Sequence, residues 1–271
     1  MAAFLELEGR WLEALEYRRR AAALDPAAAG HAAGLATNLL WLRRYPEARA
    51  AADRYVILGP ANAEAYQLRA MAELGEGKLE AARAVIRMGE ARMARDELLA
   101  FVATYWDLAW LLDSVQQARV LELAPEAFYG DTTWMLLTQA GIRFRQGDSA
   151  RGRATAEAAL RHLAAQAADE SEADLHSRLA LAYAALGRGD DAVRAAERSV
   201  ALLPIAKDAL VGTLLVYRLA CVQAQSGRND AALATLRTLL TLPFYASGAW
   251  LRIDPNFERL RTRPEFIRLG S

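Results

Sequence analysis

Residues 179–204 read LALAYAALGRGDDAVRAAERSVALLP. Leu179, Ala180 and Tyr183, then Gly187, then Ala192, Ala196 and Ser199 fall at the spacing of two helices joined at a glycine, and Pro204 ends the second. The same unit recurs toward the N-terminus. Leu24-Asp25-Pro26 returns as Leu58-Gly59-Pro60, 34 residues on, and other positions move with it. Ala14 maps onto Ala48 and Ala82, Gly9 onto Arg43 and Gly77, and Trp11 onto Tyr45 and Leu79. Looser copies run from Trp134 through Gly147 to Leu160 and from Leu214 through Gly227 to Leu242, while residues 11–26 read as the second helix of a unit whose first helix is short. A fixed period of this length means a solenoid, because one helical hairpin cannot bury its apolar face alone and stacks on copies of itself. Such an array offers an extended surface, so the expected role is binding.

The spacings of residues 179–204 resemble the tetratricopeptide repeat, with Leu179-Ala180, Tyr183, Gly187, Ala192, Ala196, Ser199 and Pro204 at its small, aromatic, turn and proline positions. Ala196 and Ser199 depart from that pattern, but both are small enough for close helix packing. The resemblance implies an all-α, right-handed superhelical solenoid of about seven hairpins.

Composition fits this reading: 54% of residues are hydrophobic and alanine is abundant, so helices rather than sheets are expected. Lysine and arginine balance aspartate and glutamate at 33 each. That lacks the basic excess a nucleic-acid surface needs. The lone Cys221 excludes an internal disulfide and a multi-cysteine metal site, and it reads as a small packing residue. Met1–Leu7 has no basic start or long apolar core, so no signal peptide is read there and a cytoplasmic location is expected. The predominance of arginine over lysine fits a bacterial source rich in GC.

The repeat breaks down after Gly89. Leu98, Leu99, Phe101, Val102, Tyr105, Trp106, Trp110 and Leu111 read as a buried helix apolar on most of its circumference, interrupted by Asp107 and too short to span a bilayer. Asp113-Ser114 then caps a short helix, Val115 to Leu123, ended by Pro125. The chain therefore divides into an N-terminal array (1–93), an irregular unit (94–130), a C-terminal array (131–243) and a capping segment (244–271). In the last, Asp254 is placed to cap a helix opened by Pro255, and its aromatic residues are expected to cover the flank of the final hairpin. From about Tyr105 to Leu269 the chain also resembles the C-terminal repeat region of multidomain bacterial signalling proteins. That resemblance implies a kinase, cyclase-like or DNA-binding domain upstream.

No catalytic pattern emerges, no cofactor is expected, and the chain is read as a non-enzyme. Gly75-Glu76-Gly77-Lys78 lacks the following Ser/Thr and the preceding strand of a phosphate loop and reads as a hairpin turn. His31, His162 and His176 have no zinc-binding spacing. Asp190-Asp191 stand at a helix start, where they read as caps. What remains is the concave face, formed in the resembled family by the first helix of each hairpin. There the register places Trp41, Gln67, Met71, Trp134, Leu137, Arg178, Leu181, Tyr217, Arg218 and Cys221, a mixture of aromatics and arginines suited to a protein or peptide partner with acidic and apolar side chains. Glu64 and Leu68 stand where a carboxylate clamp would need cations. Two further roles are weighed beside this one: self-association through Phe4, Leu5 and Trp11, and small-molecule sensing at the aromatic irregular unit.

Overall fold

A left-handed residue marks each repeat's turn: Gly9, Arg43, Gly77, Gly147, Gly187 and Gly227 have φ between 56° and 81°. In this computed structural model, which describes residues 1–59, 62–166 and 172–269 without the side chains of Trp106 and Gln166, those turns join paired helices. The pairs are α1 (Ala2–Leu7) with α2 (Trp11–Leu24), α3 (Ala29–Trp41) with α4 (Tyr45–Leu58), and α5 (Ala63–Gly75) with α6 (Leu79–Glu90). After α7 (Arg95–Thr104) and α8 (Ser114–Glu122) come α9 (Thr132–Arg145) with α10 (Ser149–Gln166), α11 (Glu172–Ala185) with α12 (Gly189–Leu202), and α13 (Val211–Gln225) with α14 (Asn229–Leu240). The chain ends in α15 (Gly248–Ile253), a 3-10 turn (Pro255–Leu260) and α16 (Pro264–Ile267). This is the all-α solenoid expected. Among the described residues there is no strand and no helix long and apolar enough to cross a membrane. Pro60 and the side chain of Trp106 lie outside the described residues.

Small residues set the helix contacts. Ala14, Ala48, Ala82 and Ala192 are all buried, where their lack of bulk lets paired helices approach closely. Gly75 and Gly89 do the same between neighbours, since a Cβ on Gly75 would overlap the Tyr45 ring and one on Gly89 would overlap Tyr66 and Leu98.

The irregular segment is not one long apolar helix. α7 stops at Thr104, a 3-10 turn follows over Tyr105–Asp107, and Asp107 itself takes a left-handed conformation with φ of 57°. Leu108, Leu111 and Leu112 are buried outside any helix, while Tyr105 is exposed. α8 begins as expected, with Asp113 and Gln116 forming a reciprocal capping box. Asp190 and Asp191 stand in the first turn of α12, at its positive end as expected, but neither is its N-cap, which is Arg188; Asp191 pairs with Arg188 at 2.7 Å and Asp190 with Arg228 at 2.5 Å.

The C-terminal segment does more than cover the last hairpin. It crosses to the inner face of the N-terminal helices, where Trp41 stacks on Trp11 and meets the ring of Tyr245 edge-on at 5.3 Å. Tyr45 donates its hydroxyl to the Tyr245 carbonyl at 3.0 Å, and Ser247 donates to the Gly75 carbonyl at 2.6 Å. Trp250 packs between Tyr245 and Trp110. The main hydrophobic core is therefore shared between residues 11–142 and 214–269, and the N-terminal half of the inner face is filled by the chain's own tail. Of the residues read for self-association, Phe4 is exposed, whereas Leu5 and Trp11 are buried in the first hairpin.

Candidate binding cleft

With the N-terminal inner face filled, the open part lies along the first helices of the later hairpins, which border a cleft of about 410 Å³. α9 contributes Trp134, Leu137, Gly141, Phe144 and Arg145; α11 contributes Leu181, Ala184 and Ala185; α13 contributes Arg218, Cys221 and Gln225. The irregular segment adds Asp107 and Trp110, and the tail adds Pro255, Asn256, Glu258 and Arg259. The share of α9 follows from helix geometry, since Trp134, Leu137, Gly141 and Arg145 are separated by three or four positions and stand on one face.

Arg218 is buried at the floor. Its Nε and Nη2 donate to the Asp107 carboxylate at 2.7 and 3.2 Å, and Nη1 donates to Ser177 Oγ at 3.2 Å. Burial works against its charge, but Asp107 more than offsets this and holds the guanidinium pKa above the usual arginine range. Arg178 is matched in the same way: Nη1 donates to both oxygens of Asp131 at 2.9 and 2.8 Å, and Nε donates to Asp174 at 2.7 Å. Both guanidiniums lie against the Trp134 ring, 5.0 Å away for Arg178 and 4.7 Å for Arg218.

Arg145 is placed differently. It is an exposed residue on the cleft lining, and its side chain folds back over Gly141, where an added Cβ would meet Nη1 at 3.5 Å. Among the described residues no carboxylate forms an ion pair with it. Crowding by the cleft walls pushes its pKa down to about 10, partly countered by the buried Asp254, so it stays charged at neutral pH. Cys221 contributes an apolar surface, because burial raises its pKa well above the ordinary thiol range and keeps it protonated.

The residues that the register assigned to one face thus separate into two groups. Trp134, Leu137, Leu181 and Arg218 meet at the cleft, with Arg178 beside Trp134. Gln67, Met71 and Tyr217 are buried elsewhere: Gln67 donates to the Tyr105 carbonyl at 3.0 Å, and Tyr217 donates its hydroxyl to Asp254. Packing against α7 and the tail takes them out of any surface. Trp110 lines the cleft as part of the aromatic irregular unit, which the sequence offered only as an alternative binding surface, and Arg145 goes unnamed although the series Trp134, Leu137, Gly141 reaches it in one more turn.

No family model and no curated protein matches this sequence. Among solved structures the chain is similar to the APC/C hetero-tetramer Cut9-Hcn1, at 15% identity and a TM-score of 0.47 over 97% of this chain and 47% of that one. It is also similar to the C-terminal part of a TPR repeat-containing protein from Cytophaga hutchinsonii, at 13% identity and a TM-score of 0.41 over 89% of this chain and 93% of that one. A third, Naa15/Naa10 bound to HypK-THB, aligns at 12% identity and a TM-score of 0.34 over 89% of this chain and 36% of that one. The chain spans about half the length of the first of these and about a third of the third.

Proposed function

We propose that the chain is a non-catalytic interaction module that receives a segment of a protein partner in the cleft between α9, α11, α13 and the tail. One observation carries this reading: the first helices of three successive hairpins border an open cleft with aromatic residues on α9, while the N-terminal inner face is filled by the chain's own tail. The lining supports binding over chemistry. Its thiol is held protonated, and its acidic Asp107 is committed to Arg218. The resemblance to the repeat regions of bacterial signalling proteins suggests a regulatory input as the setting, with the partner segment as the signal.

The test uses a displayed library of random 12-residue peptides, selected against the immobilised chain and against Gly141→Phe. A Cβ at Gly141 meets only the Arg145 guanidinium within 4 Å, so phenylalanine there fills the cleft without displacing backbone. Peptides that bind the wild type and are lost on Gly141→Phe are expected. Selection that ignores the substitution contradicts the reading.

A second reading, a small-molecule sensor, draws on the cleft volume of about 410 Å³, within the roughly 300–1,000 Å³ of small-ligand pockets. It expects ligand-dependent thermal stabilisation in a metabolite screen, abolished by the same Gly141→Phe variant. No stabilisation across the screen contradicts it.

A further inference from the structure

The cations around the cleft do not have equal opportunities. Arg218 has its two-point contact with Asp107, and Arg178 is held by Asp131 and Asp174. Releasing either arginine to a ligand would strand a carboxylate, so neither is free to recognise an anion without breaking the protein's own pairs. Arg145 has no such obligation among the described residues, and its guanidinium lies inside the cleft over Gly141, where the missing side chain leaves room beside it. Arg145 is solvent-exposed and feels the buried Asp254 only from beyond ion-pair distance, so a ligand carboxylate gives it the close partner it lacks without displacing one.

The walls near it are flat or branched and apolar: Trp110, Trp134, Leu137, Phe144 and Leu181. Such walls favour an aromatic or branched aliphatic side chain, which gains from aromatic packing and water release. The planar guanidinium of Arg145 fits a carboxylate in two-point geometry; Arg259, the other lining arginine without an ion pair among the described residues, is exposed on the tail and donates to the Gln225 carbonyl at 3.4 Å.

Resting on the cleft reading above, we propose that Arg145 is the anion-receiving residue of this site and that the partner segment offers it an aspartate or glutamate close to an aromatic or branched aliphatic residue. This moves the electrostatic anchor from Arg178 and Arg218 to the end of α9. It also assigns those two arginines to holding the Trp134 ring as a platform.

A consensus peptide from the 12-residue library is the probe. Its selected positions should contain an acidic residue beside an aromatic or branched one. Arg145→Gln should weaken its binding at least tenfold, Arg145→Lys should restore part of the loss, and changing the peptide's acidic residue to its amide should cost a similar factor. The two losses should not add, because each removes the same contact. Circular dichroism should show Arg145→Gln folded, with a melting temperature no lower than that of the wild type. A peptide lost on Gly141→Phe but bound equally by Arg145→Gln overturns this assignment while leaving the cleft reading intact, and so does one that binds only when phosphorylated. A library yielding no peptide sensitive to Gly141→Phe overturns both.

Discussion

The guanidinium of Arg43 donates to the carbonyl of Leu240 at 3.0 Å, across 197 residues of sequence. It also reaches the carbonyls of Leu242 at 3.0 Å and Ala246 at 2.9 Å, so it closes the C-terminal end of α14, where unpaired carbonyls and the helix dipole favour a cation. Its own backbone is left-handed, with φ of 56°, at a turn where the equivalent positions carry Gly9 and Gly77. The strain of that conformation, roughly 1–2 kcal/mol for a residue with a Cβ, is offset by the clasp. Arg43→Met loses the clasp and keeps the strain, while Arg43→Gly loses the clasp and relieves the strain. Urea unfolding should show both variants destabilised, with Arg43→Gly about 1 kcal/mol more stable than Arg43→Met. A glycine variant more stable than the wild type would show that the clasp contributes nothing.

Arg218 and Asp107 make a second long-range tie, between α13 and the 3-10 turn that follows α7. Removing one partner leaves a buried charge uncompensated, so Arg218→Ala should cost about 3 kcal/mol or more. The double variant with Asp107→Ala should lose less than the two single losses added together. Strict additivity in denaturant melts would mean that the pair is not energetically coupled.

Trp250 should matter at both ends of the chain. It is fully buried between Tyr245 and Trp110, and truncation to alanine should cost about 3–5 kcal/mol. Hydrogen exchange should speed up in α3 and α5 as well as in α13, because the tail fills the N-terminal inner face. Loss of protection confined to α13 and α14 would reduce the tail to a simple end cap.

Asp254 gives the fold a pH dependence of known sign. Burial raises its pKa to about 6, only partly opposed by hydrogen bonds from Tyr217 and the Asn256 amide; Arg145, Cys221 and Tyr245 are the other titratable groups coupled to it. The folded chain therefore holds a proton that the unfolded chain, with its ordinary carboxyl near 3.8, has released. Between about pH 4 and pH 6 this group's contribution to stability falls as pH rises. Asp254→Asn keeps an N-cap acceptor and removes the ionisation. Relative to wild type it should become more stable as pH goes from 4 to 7.5. A stability difference that is flat across this range would remove Asp254 as the cause.

The repeat was readable because it is local. Small residues at Ala48, Ala82 and Ala192 and turn glycines at Gly77 and Gly187 impose helix pairing through neighbours a few positions away, and the all-α hairpin array follows from them. Pairing across the chain left weaker marks. Asp107 stands in the sequence as an interruption of an apolar stretch, and its role comes from Arg218, 111 residues on. Arg43 occupies a glycine position for the sake of α14, and no local pattern names its acceptors. The face containing Trp134 and Leu137 was legible from helical spacing, but that spacing did not reveal that Gln67, Met71 and Tyr217 would be covered. Their covering elements, α7 and the tail, lie where the period is broken.

The cleft itself is tested most directly by titrating the selected consensus peptide into isotope-labelled protein and following the amide resonances. Shifts should concentrate at Leu137, Gly141, Leu181, Ala185 and Cys221 and saturate with one peptide per chain, with the outer helices α10, α12 and α14 little affected. Saturable shifts centred on those outer helices, with the cleft amides unmoved, would contradict the account.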